Sequence, residues 1–291
     1  MDPLLDVVQR STRLSERTKE AYERCVRRFL NYAGADPRNW NGMVVENWRD
    51  ELAQQVSART VNKHLYALRY ATGRLQALGL GDDFARPAET IPAPTVKRMA
   101  MSQDEVRALM ETCRAERPAD LRDRALMTLA LTTALRSENV QMVWFEHIEG
   151  RRMKVLQKGR RYHAPVLDDR SLHRLGQWAD WLQQAGIAVR GPVFRSIRQQ
   201  QEDGRYIVGA PISQSKWFNR MLDKRRRAAG ITRSIYPHLF RHTAISWLLE
   251  AGVSPARVMG QTGQKSMATL SQYVTDLQAE EDPIGSYLPE F

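Results

Sequence analysis

Tyr236-Pro237-His238-Leu239-Phe240-Arg241-His242 opens a stretch that continues Thr243-Ala244-Ile245-Ser246-Trp247-Leu248-Leu249-Glu250-Ala251-Gly252 and runs on to Gly263-Gln264 and Gln272-Tyr273-Val274. Proline fits the first turn of a helix and not its interior, so a helix is expected to enter at Pro237. Ile245, Leu248 and Leu249 give it an apolar stripe, and Gly252 stands where a helix turns left-handed to stop. Ser254-Pro255 restarts a short helix through Val258 and Met259, with serine as N-cap and proline in the first helical position. A last short helix is expected to carry Tyr273. His238 and Arg241 lie one turn apart, so they can face one site together.

Moving outward, Leu121 to Leu135 reads as a strongly apolar central helix, closed by Thr133-Ala134-Leu135-Arg136-Ser137-Glu138-Asn139. Met153 to Val166 reads as a β-hairpin turning at Lys158-Gly159. Two further helices follow, one carrying Leu172, Leu175, Trp178, Trp181 and Leu182, the other Trp217, Phe218, Met221 and Leu222. Between them, 190–210 reads as irregular and basic. Ser102-Gln103-Asp104-Glu105 has capping-box form ahead of Val106, Leu109, Met110 and Cys113.

Pro87 to Pro94 is a proline-rich extended stretch and reads as part of an interdomain linker. Before it, Tyr22, Cys25, Val26, Phe29, Leu30 and Ala33 recur at helical spacing. A helix follows around Met43–Gln55, and another from Ala58 to about Leu78 stops at Gly79. Residues 1–14 show little periodicity and read as a loose arm.

The chain of 291 residues carries a formal charge of +11, which favours a polyanionic partner such as nucleic acid. Residues 101–275 hold 28 basic against 16 acidic side chains, whereas 276–291 hold five acids and no Lys or Arg. No apolar run approaches the length of a membrane span, and no secretory signal is apparent at the N-terminus. Cys25 and Cys113 both fall at apolar positions of helical patterns, without metal-ligand spacing, and read as reduced core residues. A reducing compartment, as in cytoplasm, is therefore expected.

His238-x-x-Arg241, Gln264 after Gly263 and 23 residues beyond that arginine, and Tyr273 nine residues further on resemble the catalytic C-terminus of the tyrosine recombinase, or phage integrase, family. The Thr133–Asn139 segment looks like the same family's Thr-Gly-Leu-Arg-x-x-Glu box, and Lys158 resembles its β-hairpin lysine. The resemblance spans most of the chain. It implies a mainly α fold with a small β-hairpin or sheet (α+β), in which 1–88 is a helical, SAM-like core-binding domain that grips DNA. A linker at 89–100 then leads to a catalytic domain at 101–291, with a tail from about 276. Exposed basic residues of the first part, Arg24, Arg27, Arg28, Arg59, Lys63, Arg69 and Arg74, are candidates for phosphate contact, together with Arg160 and Arg161 of the hairpin.

Breaking a DNA phosphodiester reversibly requires a side-chain nucleophile, fixed planar cations for the charge of the transition state, and an acid for the departing 5′-oxygen. A phenol with a solution pKa of about 10 becomes a nucleophile when guanidinium groups favour its phenolate. By resemblance, Tyr273 is that nucleophile, Arg136 and Arg241 clamp the phosphate, and Lys158 is the acid, with Lys154 and Arg160 as nearby alternatives. His238 would accept or position the nucleophile's proton. Tyr287, set among acids, is a weaker alternative to Tyr273.

Two positions depart from the family pattern. Gln264 stands where histidine or tryptophan is usual; its amide can donate to a phosphate oxygen but cannot carry a proton. Asn139 stands where an acid is usual, with Glu138 one place off. The resemblance implies strand exchange by a homotetramer on two DNA duplexes, with no metal and no nucleotide cofactor, and with accessory proteins able to set direction. The alternatives are a type IB topoisomerase and a DNA-binding protein that has lost cleavage.

Overall fold

The computed structural model describes residues 2–34, 36–94, 99–113, 117–157, 161–200, 206–212, 215–264 and 267. The chain divides into two compact units, Met1–Lys97 and Arg98–Phe291.

The first unit is helical: α1 (Pro3–Gln9), α2 (Glu16–Ala33), α3 (Gly42–Gln55) and α4 (Ala58–Ala77). Phe29, Trp48, Leu65 and Leu68 fill its core, and the spacing read on α2 is the spacing that packs. The expected loose arm is instead the helix α1. Asp2 caps it by accepting from the Leu4 and Leu5 amides, Pro3 supplies its first turn, and Leu4, Leu5, Val7 and Val8 are all buried. Two turns are too short to display a period, which is why the pattern was invisible. Ser11 and Tyr70 then share a hydroxyl–hydroxyl bond of 2.5 Å that ties the end of this arm to α4.

Part of the proline-rich stretch is held on this unit. The Asn62 amide donates to the Ile91 carbonyl at 2.7 Å and accepts from its N–H at 2.9 Å. Arg69 donates to the carbonyls of Ala85 and Ala88, and Arg49 to that of Glu89. Ala85 and Ala88 are fully buried.

The second unit is built around α6 (Pro118–Thr133), whose Leu126, Met127, Leu129 and Ala130 are buried round its circumference, as expected of a central helix. Around it stand α5 (Gln103–Glu111), α7 (Ser137–Gln141), α8 (Asp169–Gln184), α9 (Ser215–Ala228), α10 (Pro237–Glu250) and α11 (Pro255–Thr262). The Ser102/Glu105 capping box is formed as read. The strands of the expected hairpin are β3 (Val155–Gln157) and β4 (Arg161–His163), and a separate short pair, β1 (Ile148–Glu149) with β2 (Arg152–Met153), precedes it. Lys158-Gly159-Arg160, the connection between β3 and β4, lies outside the described residues.

The region expected to be irregular forms an antiparallel ribbon of β5 (Arg195–Gln199) and β6 (Tyr206–Pro211). β5 holds Ile197 as its single apolar residue, and the apolar residues of β6 run consecutively, so neither strand shows an alternation that would announce it. Gly209 lets the strands lie close there: a Cβ at that position would lie 2.6 Å from the Ser196 hydroxyl, which would have to turn away.

A buried charge cluster pins the start of α6. Arg225 on α9 donates to Asp120 at 2.6 Å, to Asp123 at 2.6 Å and to the Thr112 carbonyl at 2.8 Å. Arg122 pairs with Asp123 at 2.7 Å and lies 4.5 Å from the ring centroid of Trp217. Burial works against the Arg225 charge, but Asp123, Asp120 and Cys113 together more than offset it, and the pKa is raised. Removing one member of such a cluster strands a charge. Arg225→Met is expected to cost about 3–5 kcal/mol of stability, read from the urea unfolding of the full chain.

Candidate functional site

Arg241 on α10 is only 3% exposed, although it carries a full charge. Its Nη1 donates to the Ala134 carbonyl at 2.6 Å and to the Thr262 carbonyl at 3.4 Å. These two acceptors belong to segments 107 and 21 residues away in sequence. Arg136 follows two residues after Ala134, and Gln264 two residues after Thr262. One guanidinium edge therefore gathers the Arg136, Arg241 and Gln264 segments at one place.

The local backbone makes this possible. Ala134 ends α6 in the left-handed region at φ 50°, and it is the one described non-glycine residue with positive φ. That conformation costs an L-residue about 1–2 kcal/mol. It persists because the surroundings over-determine it: the carbonyl is held by Arg241, and the methyl is buried among Ala244, Ile245, Leu249 and Val258. Arg136 then starts α7 in extended conformation, partly exposed. Among the described residues nothing accepts a hydrogen bond from its guanidinium. Gly263 closes α11 at φ 65°, and the Gln264 amide N–H returns to the Met259 carbonyl at 3.2 Å. The Gln264 side-chain carbonyl oxygen is buried. His238 sits exposed in the first turn of α10.

The β3–β4 hairpin is stapled to the same segments from both strands. Asn139 on α7 donates its Nδ2 to the Leu156 carbonyl at 2.8 Å. His163 on β4 bonds through Nε2 to the Gln261 carbonyl at 2.8 Å, and the Gln261 amide donates to the Val166 carbonyl at 2.9 Å. Glu138, one place before Asn139, is exposed and makes no ion pair with a described residue. Lys154, an alternative to Lys158, is paired with Glu149 at 2.7 Å. Lys158, Arg160, Tyr273 and Tyr287 lie outside the described residues; Arg161 is described only through its backbone pairing with Gln157.

The basic candidates of the first unit fall into two groups. Arg24, Arg59 and Lys63 are exposed and make no ion pair among the described residues. Arg59 and Lys63, with Tyr22, Asn62, Tyr66 and Ala93, line a cavity of about 350 Å³. Arg74 is partly buried and makes no ion pair among the described residues either. By contrast, Arg27 is paired with Glu23 at 2.6 Å, Arg28 donates to Gln55 at 2.6 Å, and Arg69 is spent on backbone carbonyls. The Glu23–Arg27 pair has a readable i,i+4 spacing, whereas the Arg28–Gln55 bond and the carbonyl acceptors of Arg69 have no local signature.

Among the described residues no three His, Cys, Asp or Glu side chains gather as a metal site requires, and no helix is long and apolar enough to cross a membrane.

A helical first unit is thus followed by a larger unit in which the Arg136 and Arg241 segments and a stapled hairpin converge. The phage integrase family model matches residues 99–280, and the model of the phage integrase N-terminal SAM-like domain matches 2–73. The chain belongs to the phage integrase family, and with it to the site-specific tyrosine recombinases. Its relatives include the tyrosine recombinase XerC of Pelobacter propionicus, 23% identical over 94% of this chain and 91% of that one. XerC of Xylella fastidiosa is 27% identical, with 89% and 86% covered. The same fold is seen in a lambda integrase tetramer bound to a Holliday junction, with a TM-score of 0.74, 16% identity, and 97% of this chain and 79% of that one covered. XerH recombinase in a pre-cleavage complex with its difH substrate gives 0.67 at 14% identity, with 93% and 80% covered.

The Arg241 bridge predicts that the two arginines differ in their effect on stability. Arg241→Met should lower the free energy of unfolding by about 1.5–3 kcal/mol in a urea titration. Arg136→Met should leave it within about 0.5 kcal/mol.

Proposed function

We propose that this protein cuts and rejoins DNA at specific sites through a 3′-phosphotyrosyl intermediate, with 1–88 as the core-binding domain and 101–291 as the catalytic domain. The observation that carries the reading is the Arg241 bridge to the Ala134 and Thr262 carbonyls, which supports a shared phosphate site for Arg136, Arg241 and Gln264. The Tyr273 oxygen attacks the scissile phosphorus and its proton passes to His238. The P–O5′ bond breaks, and the departing oxygen takes a proton from the Lys158 ammonium group. Arg136 and Arg241 hold the charge that develops on the non-bridging oxygens, and the Gln264 amide adds a donor.

The free 5′-hydroxyl of a partner duplex then attacks the phosphotyrosyl ester and releases the phenol. A second round resolves the Holliday junction. Each step exchanges one phosphoester for another, so no external energy source is needed. Four protomers on two duplexes are proposed, supported by the lambda integrase tetramer that shares the fold. Accessory proteins that set direction, and a cytoplasmic setting, belong to the same reading.

A duplex nicked beside the cleavage site traps the covalent intermediate. The wild-type protein should form a complex resistant to denaturant, Tyr273→Phe should form none, and Arg136→Ala should slow its formation by about 10²–10³. A wild-type protein that binds the duplex but never links to it would establish a binding-only relative instead.

Phosphate contacts are read from salt. Arg59→Gln combined with Lys63→Gln should flatten the log–log slope of DNA affinity against salt by about 0.9 for each lost contact. Arg69→Gln should leave that slope unchanged, because its donors are already engaged by backbone.

A further inference from the structure

The β3–β4 hairpin has little apolar grip on the fold. Its strands are three residues each, and an isolated two-stranded hairpin is marginal in water. Its cross-strand pair Leu156 and Tyr162 faces outward, 53% and 72% exposed, while Val155 is buried. What fixes the hairpin is therefore largely polar. The Asn139 side chain is 8% exposed and is the anchor that leads back to Arg136. Its N–H bonds to the Arg136 carbonyl at 2.9 Å, and its Nδ2 to the Leu156 carbonyl at 2.8 Å. Two hydrogen bonds thus connect the backbone of Arg136 to Leu156 on β3, a strand that ends at Gln157, the residue before Lys158 in the sequence.

We infer that Asn139 is a positioning residue that sets the β3–β4 hairpin, and with it Lys158, against the phosphate site of Arg136. This rests on the reading of Lys158 as the general acid. A general acid must come within hydrogen-bond reach of the oxygen it protonates, and a displacement of about 1 Å can cost a hundredfold in rate. The bond to Leu156 demands a donor. An ionised carboxylate of the same size has none, and it would set oxygen against oxygen at this contact. Asn139 acts here through geometry alone, since it has no proton to give at pH 7.

The test uses single-turnover cleavage of the nicked duplex by the full chain. One substrate has an ordinary scissile phosphodiester, and the other has sulfur in place of the bridging 5′-oxygen. In the second, the P–S bond breaks and the thiolate leaves without needing a proton, so a misplaced acid no longer matters. Asn139→Asp should slow cleavage of the ordinary substrate by about tenfold to a hundredfold and come within about threefold of wild type on the sulfur substrate. Lys158→Ala is the reference and should show the same rescue.

If Asn139→Asp cleaves the ordinary substrate at the wild-type rate, or is slowed equally on both, the positioning role is overturned while the Lys158 result stands. If Lys158→Ala is not rescued by sulfur, the reading of the acid itself is wrong, and the inference falls with it. Should Asn139→Asp fail to fold, judged by thermal unfolding, Asn139→Ala removes the donor without burying a charge and is read in the same way.

Discussion

A guanidinium buried to 3% exposure, with backbone carbonyls as its named acceptors, is the constraint on which the second unit's functional end depends. Desolvating Arg241 is costly, and carbonyl oxygens return part of that cost only if they point inward. Ala134 makes its carbonyl point inward by adopting a conformation that alanine resists. The strain, the buried charge and the methyl-lined cluster around Ile245 hold one another in place. Each would be unfavourable alone.

The same logic recurs at the opposite end of α6. That helix begins with Asp120 and Asp123, held by Arg225 and Arg122, and ends at the carbonyl held by Arg241. Carboxylates at a helix N-terminus and a cation at its C-terminus both complement the macrodipole. Over its 16 residues, about 24 Å of rise, α6 is thus fastened at both ends by arginines from other helices. A central helix so fastened gives the Arg136 segment a rigid base, and the hairpin is then tied to that base rather than to solvent-facing loops.

Much of this architecture can be read from residue spacing. The helices with long apolar periods, α2, α4, α6 and α8, stand where their patterns put them, and Ser102, Gly252 and Ser254 end or begin helices as their chemistry requires. The segments of Arg136, Arg241 and Gln264 were legible as a set, although their meeting point was not. What escaped was short or non-local. The helix α1 has two turns and no visible period, and the β5–β6 ribbon rests on cross-strand pairing that neither strand's pattern announces. The partners of Arg69, Arg241 and Asn139 are carbonyls, which every residue possesses, so no spacing announces them. Asn139, read as a departure, has its own use in the donor it offers to Leu156.

The contacts of Ala85, Ala88, Glu89 and Ile91 bear on where the first unit can be separated from the rest. A fragment ended at 88, the border that composition suggests, would strip Asn62 of both bonds to Ile91 and Arg49 of its bond to Glu89. It would also remove the Ile91 side chain from the edge of the core. A fragment carried through 94 keeps all of these, so the natural cut lies beyond the prolines rather than before them.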